Sequence, residues 1–263
     1  MTDKNKAPAL FISHGAPTFA LEPSKLGPLL KALGKNLNNI RAVLVISPHW
    51  QTQDVKVMTT AAPETVHDFG GFPPALYQLN YPAAGAPEIA TEVSTLLSKA
   101  GWSVSVDDRR GLDHGAWVPM MHLLPNADVP VFQVSMPRDL TAASAYQLGQ
   151  ALAPLRHEGV LIVGSGSMTH NLYEFRQSGT KLEEYAIEFS NWVRQTVQSK
   201  DAKRLIDYRK LAPHTQRAHP SEEHFLPLLI AMGASDDEGS VNVLPGGVDH
   251  SVLSMESYAW GSP

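Results

Sequence analysis

Apolar residues gather along the chain in short and mostly unbroken runs, at Leu10–Ile12, Arg41–Ser47, Val55–Thr59, Ser103–Val106, Val129–Met136 and Gly159–Val163. Strands covered on both faces carry this pattern, whereas half-exposed strands alternate. Between several of these runs, Pro23–Leu33, Pro87–Ala100, Ala142–Leu155 and Leu182–Gln198 place apolar residues at helical spacing. Strands alternating with helices predict an α/β fold with a mainly parallel central sheet flanked by helices. No repeat, low-complexity tract or shift in composition interrupts the 263 residues. Residues 1–263 therefore read as one catalytic-size domain, long enough to bury a substantial core.

One segment breaks the rhythm. Residues 61–87, AAPETVHDFGGFPPALYQLNYPAAGAP, are dense in Pro, Gly and aromatic residues. A stretch this long without a regular period inside a compact domain is usually functional. Phe69, Phe72, Tyr77 and Tyr81 are also too apolar to be left in water without cost.

Composition narrows the function classes. Lys and Arg total 21 against 26 Asp and Glu, a formal net charge of -5 with no basic run, so nucleic acid is not an expected partner. Cysteine is absent, which excludes disulfides, thiolate nucleophiles and Cys-type metal sites and fits a cytoplasmic protein. The apolar run behind the first lysines is too short for a secretion signal. No run approaches the roughly 18 to 20 residues of a membrane helix, so no export and no membrane partner are expected.

Histidine carries the chemistry. Of 11 in the chain, His14 ends the run PALFIS, His49 follows RAVLVIS by two residues, and His170 follows GVLIV after what reads as a Gly/Ser turn. Loops leaving the carboxyl ends of parallel strands converge on one edge of the sheet, so these three imidazoles are expected together. Neutral imidazoles that meet in a pocket commonly bind a transition metal. His114 in GLDHGAW and His224 in PSEEHFLPLL are further candidates. Ser221 is placed to cap a helix whose first turn would carry Glu222, Glu223 and His224. His122, His157, His214, His219 and His250 lack such context and read as structural or surface residues.

Taken in order, FISHGAP, VISPHW, HDFGGFPPALY, YPAAGAPEIA, GLDHGAWVPM, SMTHNL and EEHFLPLL cover nearly the whole chain. Together they resemble the DOPA-dioxygenase-type branch of the class III extradiol ring-cleavage dioxygenases. The resemblance implies an α/β fold, one non-haem metal ion, and opening of a catechol (DOPA-like) ring beside its two hydroxyls with O2. It implies His14, His49 and His224 as metal ligands, with His170 as the acid–base residue close enough to be a fourth ligand. It makes His114 a second histidine in contact with substrate or oxygen. Better-known extradiol branches have a glutamate as third ligand; the matched position here is His224, beside Glu223, which opens the identity of the metal. Fe(II) suits the redox chemistry, and Zn(II), which favours nitrogen but cannot pass electrons to O2, is the expected occupant of purified protein. The loop 61–87 is expected to fold over the metal as an apolar wall for a flat ring, with His67 or Tyr77 near its rim.

Two rival readings share these residues. A zinc hydrolase could use the same site, since a bound metal lowers the pKa of water to about 7; a protein that binds an aromatic ligand without turnover could use the loop alone. GSGSM at 164–168 fits neither a serine-hydrolase elbow nor a dinucleotide fingerprint. For a substrate carboxylate, Arg109, Arg138 and Arg176 are equivalent candidates and read as surface residues.

Overall fold

The N-terminal run becomes β1 (Ala9–Ser13) and the run after Arg41 becomes β2 (Ala42–Ile46), every residue of both buried. This computed structural model describes residues 6–175, 183–235 and 241–261. β3 (Val131–Gln133) and β4 (Val160–Gly166) join them, and these four strands pair in parallel in the order β3-β2-β4-β1. β5 (Val241–Leu244) and β6 (Ser257–Trp260), absent from the sequence reading, extend the sheet antiparallel, β6 against β1 and β5 outside it. β5 is a half-buried edge strand and both are four residues long, too short for a clear period. The fold is thus a single-domain α/β architecture with a mixed, mostly parallel sheet.

Two other predicted strands form but leave the central sheet. Val55–Met58 and Val104–Asp107 pair in parallel with each other as a separate two-stranded sheet. The longer helices are α1 (Leu26–Gly34), α2 (Pro87–Lys99), α3 (His114–Leu123), α4 (Ala142–Leu152), α5 (Glu184–Gln198) and α6 (Leu226–Ala234). Leu182, predicted to open α5, lies outside the described residues. α4 stops at Leu152 and tightens into a 3-10 turn, Ala153–Glu158, because Pro154 has no N–H to continue an α-helix. No described helix is long and apolar enough to cross a membrane.

α6 begins at Leu226, four residues after the predicted start at Glu222. Ser221 does not cap it; its hydroxyl donates to Glu223 Oε1 at 2.9 Å. Pro227 sits in the first turn of the helix, where a missing N–H costs nothing, so Glu222, Glu223 and His224 are left in the preceding turn. Every residue of α6 is buried, and each Leu or Ile in it contributes about 1.5–3 kcal/mol by leaving water.

The predicted Gly/Ser turn after Val163 is strand instead. Gly164 and Gly166 belong to β4 and share its α6-facing side: a Cβ on Gly164 would lie 2.1 Å from the Pro227 carbonyl oxygen, and one on Gly166 2.3 Å from that of His224. The glycines serve close packing, not chain reversal. Ser165, between them, points to the other face and donates its hydroxyl to the Gly115 carbonyl of α3 at 2.5 Å. That carbonyl is available because Pro119, four residues on inside α3, has no N–H to give it.

Candidate metal centre

The parallel strands end in register, Ser13 beside Gly166 and Ile46 beside Gly164. His14, His49 and His170 therefore leave the same edge. His224 reaches it from the turn before α6, where its carbonyl accepts the Ser167 N–H at 2.8 Å. Gly115 lets α3 approach His49: a Cβ there would lie 3.0 Å from the His49 ring and 2.3 Å from Ser47 Oγ.

One ligand nitrogen from each of His14, His49 and His224 lies within 4.8 Å of the others. The far side of each ring has a partner. His14 Nδ1 lies 3.0 Å from Ser165 Oγ. Because that hydroxyl spends its proton on Gly115, His14 must donate through Nδ1–H and keep a bare Nε2. His224 Nδ1–H donates to Glu223 Oε1 at 3.1 Å, which leaves its Nε2 buried without a partner. His49 Nδ1 lies 3.7 Å from Asp68 Oδ2, and its Nε2 is 3.2 Å from His14 Nε2. A proton bridging those two Nε2 atoms would turn the bare Nδ1 of His49 toward a carboxylate. A metal ion between them removes that conflict and also gives the stranded Nε2 of His224 a partner. The donor set fits one imidazole-bound transition metal ion.

Burial pushes the pKa values of His14 and His224 well down, and their neighbouring imidazoles push further. Burial first, then His114, lowers His49 to about 4 against the opposing carboxylates. All three rings are thus held neutral, as metal ligands must be.

His114 and His170 flank this set. His114 is nearly buried, its ring 3.9 Å from that of His49. Its backbone N–H and its Nδ1–H both donate to Asp68 Oδ1 at 2.9 Å, leaving Nε2 as its free nitrogen. Burial alone would raise the pKa of Asp68, but the hydrogen bonds and charge of His114 overcome it and hold the carboxyl at about 2. His170 stacks face to face on His224, centroids 3.5 Å apart. Burial lowers its pKa to about 4, against the pull of Glu223. Sequence reasoning passed over Asp68, Ser165 and the role of Glu223. The one legible hint was that Asp68 sits inside the quoted HDFGGFPPALY motif.

A cavity of about 360 Å³ opens over the imidazoles of His14, His49, His114, His170 and His224. Phe69 and Phe72 of loop 61–87 wall one side, and Leu172, Phe175 and Leu253 another. The loop does fold over the histidines, pinned by Trp117 Nε1–H to the Val66 carbonyl and by Tyr81 OH to that of Leu124, both at 2.9 Å. His67 and Tyr77 are not in this lining. Their rings pack behind Phe69, at 5.8 and 5.2 Å, and Tyr77 is 40% exposed. Phe69 and Phe72 fill the place because the chain turns Phe69 inward against His114, 5.6 Å away.

Among the described residues, the cavity lining carries no Lys, Arg, Asp or Glu. Arg138 borders a separate polar cavity of about 350 Å³ beside Glu222 and Glu223, Arg109 is exposed, and Arg176 lies outside the described residues. Of the histidines given structural roles, His122 bonds the Phe19 carbonyl and buried His219 that of Met168, both at 2.8 Å. His250 stacks on Phe175 at the cavity wall, 4.5 Å between centroids.

Fold and donor set together describe an α/β protein able to hold one metal ion beneath an aromatic-walled cavity. Residues 8–260 match the family of the catalytic LigB subunit of aromatic ring-opening dioxygenase, and the chain belongs to this family of metal-dependent oxidoreductases. It is 40% identical to 4,5-DOPA dioxygenase extradiol of Beta vulgaris, covering 99% of each chain, and 34% identical to the protein of that name from Escherichia coli, covering 97% of this chain and 95% of the other. A crystal structure of an uncharacterized Escherichia coli protein superposes with a TM-score of 0.80 at 29% identity, covering 97% of this chain and 100% of that one.

Proposed function

We propose that the protein opens a catechol ring at the bond beside its hydroxyl pair, adding both atoms of O2, with one divalent metal ion held by His14, His49 and His224. The observation that carries this is the convergence of three imidazoles whose rear nitrogens face Ser165, Asp68 and Glu223, two of them within hydrogen-bond distance. When bound, a redox-active ion supplies a meeting point for catecholate and O2 and a route for electron density between them. Fe(II) meets that need; Zn(II) matches the donors but lacks the redox step, and is the occupant expected after purification. Three neutral ligands leave the ion its full double charge, which favours a doubly deprotonated catechol.

The chain's own groups do the rest. Phe69 and Phe72 hold the flat ring and keep water from it, with His67 and Tyr77 bracing Phe69 from behind. His170, neutral and at the cavity wall, takes the proton of one catechol hydroxyl and returns it as the ring opens. His114, with Nδ1–H committed to Asp68, offers Nε2 to a substrate or oxygen hydrogen bond. The relatives' names make a DOPA-like catechol the first substrate to try.

The test is oxygen uptake on a panel of catechols, including DOPA, after anaerobic loading with Fe(II). One O2 consumed per catechol, with a ring-opened chromophore, is expected, and the Zn(II)-loaded protein should be inactive. Absence of uptake with every catechol, or hydrolysis of an ester by the zinc form, would overturn the assignment.

A further inference from the structure

The groups that orient the three ligands come from different parts of the fold. Ser165 belongs to the buried central sheet, and Glu223 is the chain neighbour of His224 in the turn before α6. Asp68 arrives on loop 61–87, outside the sheet, one residue before Phe69. Its Oδ1 accepts both the backbone N–H and the Nδ1–H of His114 at 2.9 Å, while its Oδ2 faces His49 Nδ1 at 3.7 Å. The two rings it addresses lie against each other, 3.9 Å between centroids. The Asp68 side chain is about one-fifth exposed, so these contacts form in a partly dry setting.

We infer that Asp68 is a positioning residue that orients His49 toward the metal and His114 toward the substrate at once, and so latches the aromatic wall to the metal centre. One short side chain fixes the backbone at the start of α3, the tautomer of His114 and the rear of His49. The loop cannot withdraw Phe69 from the cavity without also releasing both imidazoles. The inference rests on the proposed reading of His49 as a ligand, and it adds the means by which the loop and the ligand are coupled. A carboxylate behind a metal-bound imidazole typically changes metal affinity by about 10- to 100-fold when removed.

The test compares the full-length parent with Asp68→Asn and Asp68→Ala. Zn(II) affinity is measured by competition with a coloured chelator, the His114 tautomer by nitrogen-15 NMR of the imidazole, and folding by thermal denaturation. Asp68→Asn keeps the size and one acceptor oxygen, so it holds the fold if Asp68→Ala does not. Both variants should bind Zn(II) about 10- to 100-fold more weakly; His114 should lose its fixed Nδ1–H form in Asp68→Ala and keep it in Asp68→Asn, whose amide oxygen still accepts that proton. With Fe(II), kcat should fall more than KM rises, because the ring is still bound but wrongly addressed. A variant with lowered thermal stability but parental Zn(II) affinity and His114 tautomer would reduce Asp68 to a tether and overturn the inference. Failure of the functional reading shows separately, as a parent protein that takes up no zinc at all.

Discussion

Ser165→Ala removes one hydroxyl that two buried groups depend on. The hydroxyl accepts from His14 Nδ1–H at 3.0 Å and donates to the Gly115 carbonyl at 2.5 Å. His14 is 1% exposed, and Pro119 has already deprived Gly115 of its helical partner. Each orphaned group costs about 1–3 kcal/mol, so the pair should cost about 3 kcal/mol, allowing for partial relaxation. For a chain of this size that corresponds to a fall in Tm of about 6–12 °C. The His14 ring, no longer held, is free to take its proton on Nε2, which should weaken Zn(II) binding by about 10-fold or more. Calorimetry of the metal-free protein and chelator competition measure the two effects. If the variant melts within about 2 °C of the parent and binds Zn(II) equally well, the chain of causes from Pro119 through Ser165 to His14 is wrong.

Other outcomes follow from the same geometry. His14→Ala should lose metal and activity together, whereas His170→Ala should keep its metal and lose about 10²- to 10⁴-fold in turnover; bound metal and oxygen uptake on the same samples separate them, and parental turnover in His170→Ala would shift the acid–base role to His114. Phe69→Ala removes the inner wall of the cavity and should raise KM for catechols by about 10-fold, about 1.4 kcal/mol of lost apolar contact, with bound metal unchanged. Leu172 lines the cavity and is 60% exposed, so Leu172→Arg should fold normally and improve kcat/KM for carboxylated catechols over neutral ones; an unchanged ratio counts against Leu172 lying beside the substrate tail. Burial holds His219 neutral, its pKa near 3 against 6.5 when unfolded. The unfolded chain therefore binds the extra proton between those values, and stability from this group is full above about pH 6.5 and declines as pH falls toward 3. In metal-free protein, His219→Phe should flatten the stability curve by about 1.4 kcal/mol per pH unit between roughly pH 4 and 6, as read by urea denaturation; parallel curves for parent and variant would refute it.

Burial left a plain record in the sequence. β2 is apolar at every position because both its faces are covered, and α2 repeats its apolar residues every third or fourth place because one face is. Strand ends followed by histidine were legible for a related reason, since a parallel sheet sends its loops to one edge. Where one residue answered to two demands, local pattern misled. Gly164 and Gly166 resemble a turn but are strand residues kept small by the carbonyls of Pro227 and His224. Ser221 resembles a cap, yet Pro227 sets the start of α6.

The sequence by itself determined the fold class, the histidines at the strand ends and the aromatic loop that covers them, because each is written in short-range chemistry: apolar period, imidazole, and Pro and Gly among rings. Only the tertiary structure decided how the imidazoles are aimed. Ser165 meets His14 across 151 positions and Asp68 meets His114 across 46, contacts with no local signature. Phe69 rather than His67 or Tyr77 faces the cavity because side-chain direction in an irregular loop is set by what packs behind it. A ring's tautomer and heading depend on the atom at its far side, and that atom is supplied by the fold.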